Sequence, residues 1–305
     1  MCPIKNDKNK HMKVAIFGRF YNKATTTSVE TLFNYLLKKD IDAYIETEFF
    51  NIILNESPNI KDFTSFKTFD TLDTSFDFLV SVGGDGTILR AITFVKDIDI
   101  PIIGINTGRL GFLATIQVDA IEHAIQNIID GHYKISERSL LSIETIPENK
   151  NITSLNFALN EIAVSRKNTT SMITVETHLD GEYLTSYWSD GLIISTPTGS
   201  TGYSLSCGGP VITPGTNSFV ITPIAPHNLS ARPLIIPDST EIQLKVDGRE
   251  ENHLVSLDSR IATLDNGTII KIKKADFKIK MIDLLNESFL DTLRKKLLWG
   301  EDKRN

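Results

Sequence analysis

A single carboxylate, Asp85, stands among Gly83, Gly84 and Gly86 in the stretch SVGGDGTIL, 81–89. So many glycines leave a backbone that a ligand can approach closely, and at the carboxyl end of a strand, with helix N-terminal amides pointing into the crevice, phosphate is the natural guest. The string is neither a Walker loop, lacking Gly-Lys-Ser/Thr, nor a Gly-x-Gly-x-x-Gly fingerprint. A plain strand-to-helix turn, with Asp85 or Thr87 as the helix cap, is the alternative reading. A second stretch, TPTGSTGYSLSCGGP, 196–210, holds too many hydroxyls and glycines for a core strand and suits a polar ligand gripped by short hydrogen bonds. An ordinary surface loop is its alternative, and Tyr203 serves either as an aromatic face for a base or as core. A third, ALNEIAVSR, 158–166, sets Asn160 beside Glu161 in an otherwise apolar strand. Neighbours in a strand point to opposite faces, so at least one of the two is buried, at a sheet rim or paired with a ligand. INTGRLGFLA, 105–114, adds Gly108 and Gly111 after a buried strand, and PIAPHNLSARPLIIPD, 223–238, carries His227 and Arg232. For His227 a structural role is at least as good a reading as a catalytic one.

The elements that must position these groups change character along the chain. From Met12 the pattern alternates: KVAIFG as a strand, SVETLFNYLLKKD as a helix with Val29, Leu32, Phe33, Leu36 and Leu37 on one face, DAYIE as a strand. It continues with FDFLVSV as a strand, TILRAITFVK as a helix, IPIIGIN as a strand, and VDAIEHAIQNIIDG as a helix ending on Gly131. Residues 12–135 therefore predict an open, mostly parallel, Rossmann-like α/β domain carrying the Asp85 loop. From about 136 to 285 the pattern is strands, with Asp180-Gly181 and Asn266-Gly267 as hairpin signals, and a β-rich, nucleotide-binding domain is expected. In 286–305, Asn286 or Ser288 caps a final helix whose Leu290, Leu293 and Leu297 share a face, and this helix is expected to pack on the first domain.

The bulk numbers exclude several classes. At 305 residues, with 41% hydrophobic and 23% charged residues, the chain has the composition of a globular protein with room for two cores. A net charge of −6 argues against a nucleic-acid binder working through bulk charge, so any anion must be bound locally. The two cysteines, Cys2 and Cys207, are poor material for a disulfide framework or a zinc site and fit a reducing cytoplasm. No signal-like apolar segment precedes the first strand and no run of about 18 apolar residues occurs, so neither export nor a membrane span is expected. Residues 1–11 read as an extension outside the fold.

Taken together, GGDGTILRA, INTGRLGFLA, LNEI, SDGLIISTPTGSTGYSLSCGGP, PIAPHNLSARPLIIPD and VDGR occur in an order and spacing that resembles the ATP-dependent NAD kinase family over nearly the whole chain from about residue 13. The glycine-aspartate signature alone is shared with lipid kinases and phosphofructokinases; the later blocks discriminate. The resemblance implies transfer of the terminal phosphoryl of ATP to the 2′-hydroxyl of the adenosine ribose of NAD, giving NADP, with a divalent cation such as Mg2+. It implies an α/β domain joined to a β-sandwich, assembled as a homodimer or homotetramer. Residue by residue, it makes Asp85 the proton acceptor or the organiser of metal and diphosphate, with Gly86 beside it and Arg90 within reach of the ligand. Asn160 and Glu161 match the pair that holds adenosine, and Asp190 the contact to the nicotinamide amide. Thr198, Thr201, Gly202, Tyr203, Ser204, Leu205 and Ser206 match the block that wraps the nucleotide, and Ala225 a backbone contact near the nicotinamide. No protein side chains are assigned as metal ligands. Three positions depart from the commoner pattern: Gly202 for alanine, Arg249 for glutamine, and Trp188 for a basic residue. Two other readings compete: a lipid or sugar kinase sharing the Asp85 loop, which leaves the Asn-Glu pair unexplained, and a non-catalytic NADP sensor, which gains nothing from a carboxylate facing phosphates.

Overall fold

The computed structural model describes residues 12–21, 23–56, 66–167, 171–285 and 287–299. The chain divides into two compact units, Met1–Glu137 with Ile279–Asn305, and Arg138–Lys278. The segment 279–285, read from sequence with the second domain, groups with the first unit. Residues 1–11 and Asn286 lie outside the described residues.

In the first unit the strands β1 (Lys13–Gly18), β2 (Asp42–Glu46), β3 (Lys67–Phe69), β4 (Phe78–Gly83) and β5 (Ile102–Asn106) are joined by helices α1 (Lys23–Lys38), α2 (Thr47–Glu56) and α3 (Asp85–Val95), with α4 (Ile121–Ile129) following. The strand order is β5-β4-β1-β2-β3, every pairing parallel. Strands buried on both faces are apolar nearly throughout, which is why β1, β4 and β5 carry the runs VAIF, FLVSV and IIGI. Val29, Leu32, Phe33 and Leu36 of α1 are fully buried in one cluster with Val14, Ile16 and Val80, and each is worth roughly 1.5–3 kcal/mol of burial. Leu37, expected on that face, is 42% exposed. The helix α2 was not foreseen. Its apolar Phe49 and Ile53 are four apart, a single pair short of a visible period.

The second unit is built from β6 (Tyr133–Ile146, entering from the first unit), α5 (Lys150–Thr153), β7 (Phe157–Ala158), β8 (Glu161–Arg166), β9 (Ile173–Leu179), β10 (Glu182–Ser189), β11 (Gly191–Ser195), α6 (Tyr203–Ser206), β12 (Ser218–Ile224), β13 (Leu234–Pro237), β14 (Ile242–Gly248), β15 (Asn252–Leu257), β16 (Arg260–Asp265) and β17 (Ile269–Leu284). One six-stranded antiparallel sheet runs β13-β12-β11-β8-β15-β16, and β10-β9-β14-β17 forms the facing layer. Ile162, Val164, Leu192, Ile194 and Phe219 of the first sheet share one core with Val175, Leu244 and Ile270 of the second, as a sandwich requires. Asp180 and Gly181 make the expected hairpin between β9 and β10, both in the left-handed region at φ 49° and 84°. Asn266-Gly267 does not close a hairpin: β16 pairs with β15, whereas β17 pairs with β14, so this turn changes sheets. The last part of β17 returns to the first unit, where Met281 pairs in parallel with Ile102. A final helix, α7 (Phe289–Leu297), is capped by Ser288, which accepts from the Asp291 N–H at 3.1 Å. Leu293 of α7 is buried, but Leu290 is 55% exposed.

Candidate active site

Two groups of predicted residues come together, one in each unit. In the first, reversal of strand order between β1 and β4 puts a crevice at the carboxyl ends of these strands, the place where open α/β sheets bind ligands. Asp85 follows β4 there as the first residue of α3. It does not cap that helix: Gly84 is the N-cap and makes no side-chain cap bond. The carboxylate instead holds the next loop, with Oδ1 accepting from the N–H of Leu113 (3.0 Å) and Ala114 (2.9 Å) and Oδ2 from that of Phe112 (2.8 Å). Of about four lone-pair positions on a carboxylate, three are taken, and the fourth, on Oδ2, is left. A Cβ at Gly111 would collide with this carboxylate, so the glycine is needed for the approach. By contrast, nothing lies within 4 Å of a Cβ built at Gly84 or Gly86, and the start of α3 faces open space. Arg90, farther along α3, is exposed.

Asn106 completes this loop and was missed by sequence reasoning. It is 1% exposed, accepts from the Gly108 N–H (2.7 Å), and donates to the carbonyls of Arg109 (2.7 Å) and Ala114 (3.1 Å). An Asn ending an apolar strand before a Thr-Gly turn was the available signal.

In the second unit the run NFALNEIAVSR, 156–166, read from sequence as one strand, is broken. β7 ends at Ala158, β8 begins at Glu161, and Leu159-Asn160 form a corner. The cause is Asp258 in the β15–β16 turn, whose carboxylate accepts from the N–H of Leu159 (3.0 Å), Asn160 (2.8 Å) and Glu161 (3.2 Å). The corner frees two acceptors: Asn160 Oδ1 and Glu161 Oε2 are buried and have no hydrogen-bond partner among the described residues. Burial is the main cause that pushes the Glu161 carboxyl up to about 8; the neighbouring Asp258 adds to it, and the Tyr203 N–H works against it. At neutral pH Glu161 therefore carries its proton and offers a ligand a donor as well as an acceptor. Burial likewise raises the Asp258 carboxyl, against the pull of its three N–H donors and of Arg260.

The hydroxyl-rich stretch wraps this corner as a 3-10 turn (Gly199–Thr201) followed by α6. A Cβ at Gly199 would run into the Asn160 backbone, and one at Gly202 would stand 3.3 Å from Glu161 Oε2 and 3.7 Å from Asn160 Nδ2. Gly202 thus borders the Asn-Glu pair. Thr201 Oγ1 donates to the Thr198 carbonyl (3.3 Å), while Leu205 and Ser206 lie on the outer turn of α6. Tyr203, 44% exposed, is not core; its hydroxyl is pushed up by burial and by the charges of Cys207, Asp190 and Glu161, which places it among them. Ser204 is fully buried and its hydroxyl pairs with Thr222 Oγ1 at 2.8 Å, bracing the loop.

Asp190 lies between β10 and β11, and the sheet brings it to Ala225, since its N–H donates to the Ile224 carbonyl at 3.0 Å. Ala225 is held at φ 43°, a left-handed conformation unusual for alanine. The Asp190 carboxylate pairs with Arg166 at 2.9 Å, a partner that only the β8–β11 register reveals. His227 is edge-on to Trp188 with ring centroids 4.4 Å apart, in keeping with the structural reading.

Known proteins share this construction. A family model described as ATP-NAD kinase N-terminal domain matches residues 14–133, and one described as ATP-NAD kinase C-terminal domain matches 159–284. An NAD kinase of Flavobacterium psychrophilum is 59% identical over 294 residues, covering 96% of this chain and all of that protein. Among solved structures, yeast NADH kinase complexed with NADH superposes with a TM-score of 0.82 at 25% identity, over 97% of this chain and 89% of that one. An Archaeoglobus fulgidus NAD kinase in complex with ATP gives 0.73 at 26% identity, over 94% and 99%. With the Asp85 loop inside the first match and the Asn160-Glu161 corner inside the second, the chain belongs to the ATP-NAD kinase family.

Proposed function

We propose that this NAD kinase transfers the terminal phosphoryl of ATP to the 2′-hydroxyl of the adenosine ribose of NAD, with Asp85 accepting the hydroxyl proton. A ribose hydroxyl is a poor nucleophile at neutral pH, so a positioned carboxylate must take its proton as the phosphoryl arrives in line. The observation that carries the assignment is the Asp85 carboxylate, fixed by three N–H groups with one lone pair of Oδ2 left over. The open start of α3, with side-chain-free Gly84 and Gly86, suits phosphates, because helix N-terminal amides attract anions. Arg90 adds a cation on the same helix. In the second unit, Asn160 and Glu161 take the adenosine, the edges of Thr198, Thr201, Gly202, Tyr203, Leu205 and Ser206 enclose it, and Asp190 with the Ala225 backbone meets the nicotinamide amide.

The divalent cation is read as arriving on the nucleotide, since Mg2+ keeps several waters and binds chiefly through substrate phosphates. It would neutralise charge on the phosphates, leaving Oδ2 of Asp85 for the proton. The reading includes a homodimer or homotetramer in the cytoplasm; Leu234 and Ile235, exposed on the edge strand β13, supply apolar surface for assembly. Sedimentation would count the subunits.

Asp85→Asn tests the assignment. Removing the basic oxygen should lower turnover roughly 100-fold or more. Near-normal turnover sinks it. The amide also presents an N–H to one of the three loop donors, so a thermal melt must accompany the kinetics.

A further inference from the structure

The loop held by Asp85 has a second face. Phe112, whose N–H donates to Asp85 Oδ2, turns its ring toward the C-terminal segment: the Phe289 ring lies 6.3 Å away at 39°, and Lys296 Nζ stands 5.5 Å from the Phe112 centroid. Three residues on, Thr115 Oγ1 donates to Glu287 Oε2 at 2.8 Å. These contacts come from residues 172 to 184 positions away along the chain, yet they converge on the four residues that carry the Asp85 donors and their neighbour. Asn106 braces the loop from within at Gly108, Arg109 and Ala114, while Phe112 and Thr115 are met from outside. Asp85 pulls on its backbone from one side. The C-terminal segment closes the other.

We propose that the C-terminal segment 287–297 is a clamp that fixes the Asp85 loop for phosphoryl transfer, with Phe289 as its principal positioning residue. The inference rests on the reading of Asp85 as the proton acceptor. Phe112 is the link: the same residue donates to the oxygen that keeps the free lone pair and carries the ring held by α7. Loosening the ring releases the N–H, and Oδ2 loses the bond that orients it. Phe289 touches no substrate in this account and acts through Phe112 alone. Adenosine recognition, built on the Asp258-held corner of the other unit, is not part of the clamp.

The test is Phe289→Ala with Phe289→Leu as the conservative partner, read by steady-state kinetics and by amide hydrogen exchange on the full chain. In Phe289→Ala the amides of Phe112, Leu113 and Ala114 should exchange at least about tenfold faster, while those of the core strands β4 and β5 keep their protection. Turnover should fall about tenfold with the KM for NAD within about twofold of wild type, and Phe289→Leu should recover most of both losses. Unchanged exchange at 112–114 overturns the clamp. Faster exchange throughout β4 and β5 also overturns it, because Phe289 is then only a core residue. Faster exchange confined to 112–114 with normal turnover overturns the clamp's part in phosphoryl transfer, whereas the reading of Asp85 as proton acceptor fails only if Asp85→Asn turns over normally, so the two failures are told apart.

Discussion

Asp85 and Asp258 do the same thing in different units. Each carboxylate accepts the N–H groups of three consecutive residues, 112–114 in one case and 159–161 in the other. Three amides in a row cannot all be paired inside a strand or helix when the chain turns a corner, and an aspartate is the compact way to satisfy them together. Both side chains are half-buried, and the difference lies in what stands around them. Asp85 sits at the mouth of a sheet crevice with open space about Gly84 and Gly86, whereas Asp258 lies in a β-turn at φ 52°, where desolvation raises its carboxyl. One nest therefore leaves a lone pair facing space that a substrate can enter. The other uses its carboxylate to shape a neighbouring pair, Asn160 and Glu161. On the proposed reading of Asp85, the same local chemistry makes a proton acceptor in one place and a support in the other.

The largest effect should come from breaking the Asp258 nest. Asp258→Ala strands three amides at the corner between two strands of the sandwich, each unpaired group costing about 1–3 kcal/mol, and the total should reach about 3 kcal/mol. Asp85→Ala should cost visibly less, because amides of a loop beside an open crevice can turn to water. Urea denaturation of the two variants measures the gap, and equal losses would erase the distinction drawn from their surroundings.

Glu161 sharpens the contrast at intermediate size. Its folded-state carboxyl sits near 8 against an ordinary 4.5, chiefly through burial. Between those values the folded protein holds a proton that the unfolded chain has released, so stability falls as pH rises through that window and levels off above about 8. Asp258, raised in the same direction, adds a fall that begins at lower pH. Glu161→Gln removes the Glu161 share: its melting temperature should drop less than that of wild type between about pH 5 and 8. Parallel curves for the two proteins would place Glu161 in contact with solvent.

The sequence carries much of this and omits a specific part. Unbroken apolar runs and helical periods mark the α/β unit, and alternation marks the β unit, because burial on two faces or one is written directly in residue order. Asp85 is visible because glycines crowd it, and the Asn160-Glu161 pair because polar residues interrupt an apolar run. What is not visible is who holds them. Asp258 lies 98 positions from Asn160 and Phe112 lies 27 from Asp85, so those bonds depend on sheet register and loop closure and not on any local pattern. The same limit explains the turn at Asn266-Gly267, whose local chemistry favours a hairpin but whose flanking strands belong to different sheets. Ser204 enters the expected site through the family resemblance, and only packing shows that its hydroxyl pairs with Thr222.

The smallest effect tests a third carboxylate, held in a different way. Asp190 has no nest; one side-chain partner, Arg166, meets it at 2.9 Å, with both side chains about a quarter exposed. The backbone fixes the same place independently, since Arg166 N–H donates to the Asp190 carbonyl and Asp190 N–H to that of Ile224, each at 3.0 Å. Removing the guanidinium therefore leaves a carboxylate that keeps its position and can be hydrated. Arg166→Met retains the aliphatic stem and should cost no more than about 1 kcal/mol of stability, as partly exposed ion pairs usually do. Its KM for NAD should rise only about two- to threefold, through a looser Asp190 rotamer at the nicotinamide end. The urea series that compares Asp85→Ala with Asp258→Ala should include it. If Arg166→Met proved as damaging as Asp258→Ala, side-chain pairing and not main-chain capture would be what holds these carboxylates, and the difference between the two nests would lose its physical basis.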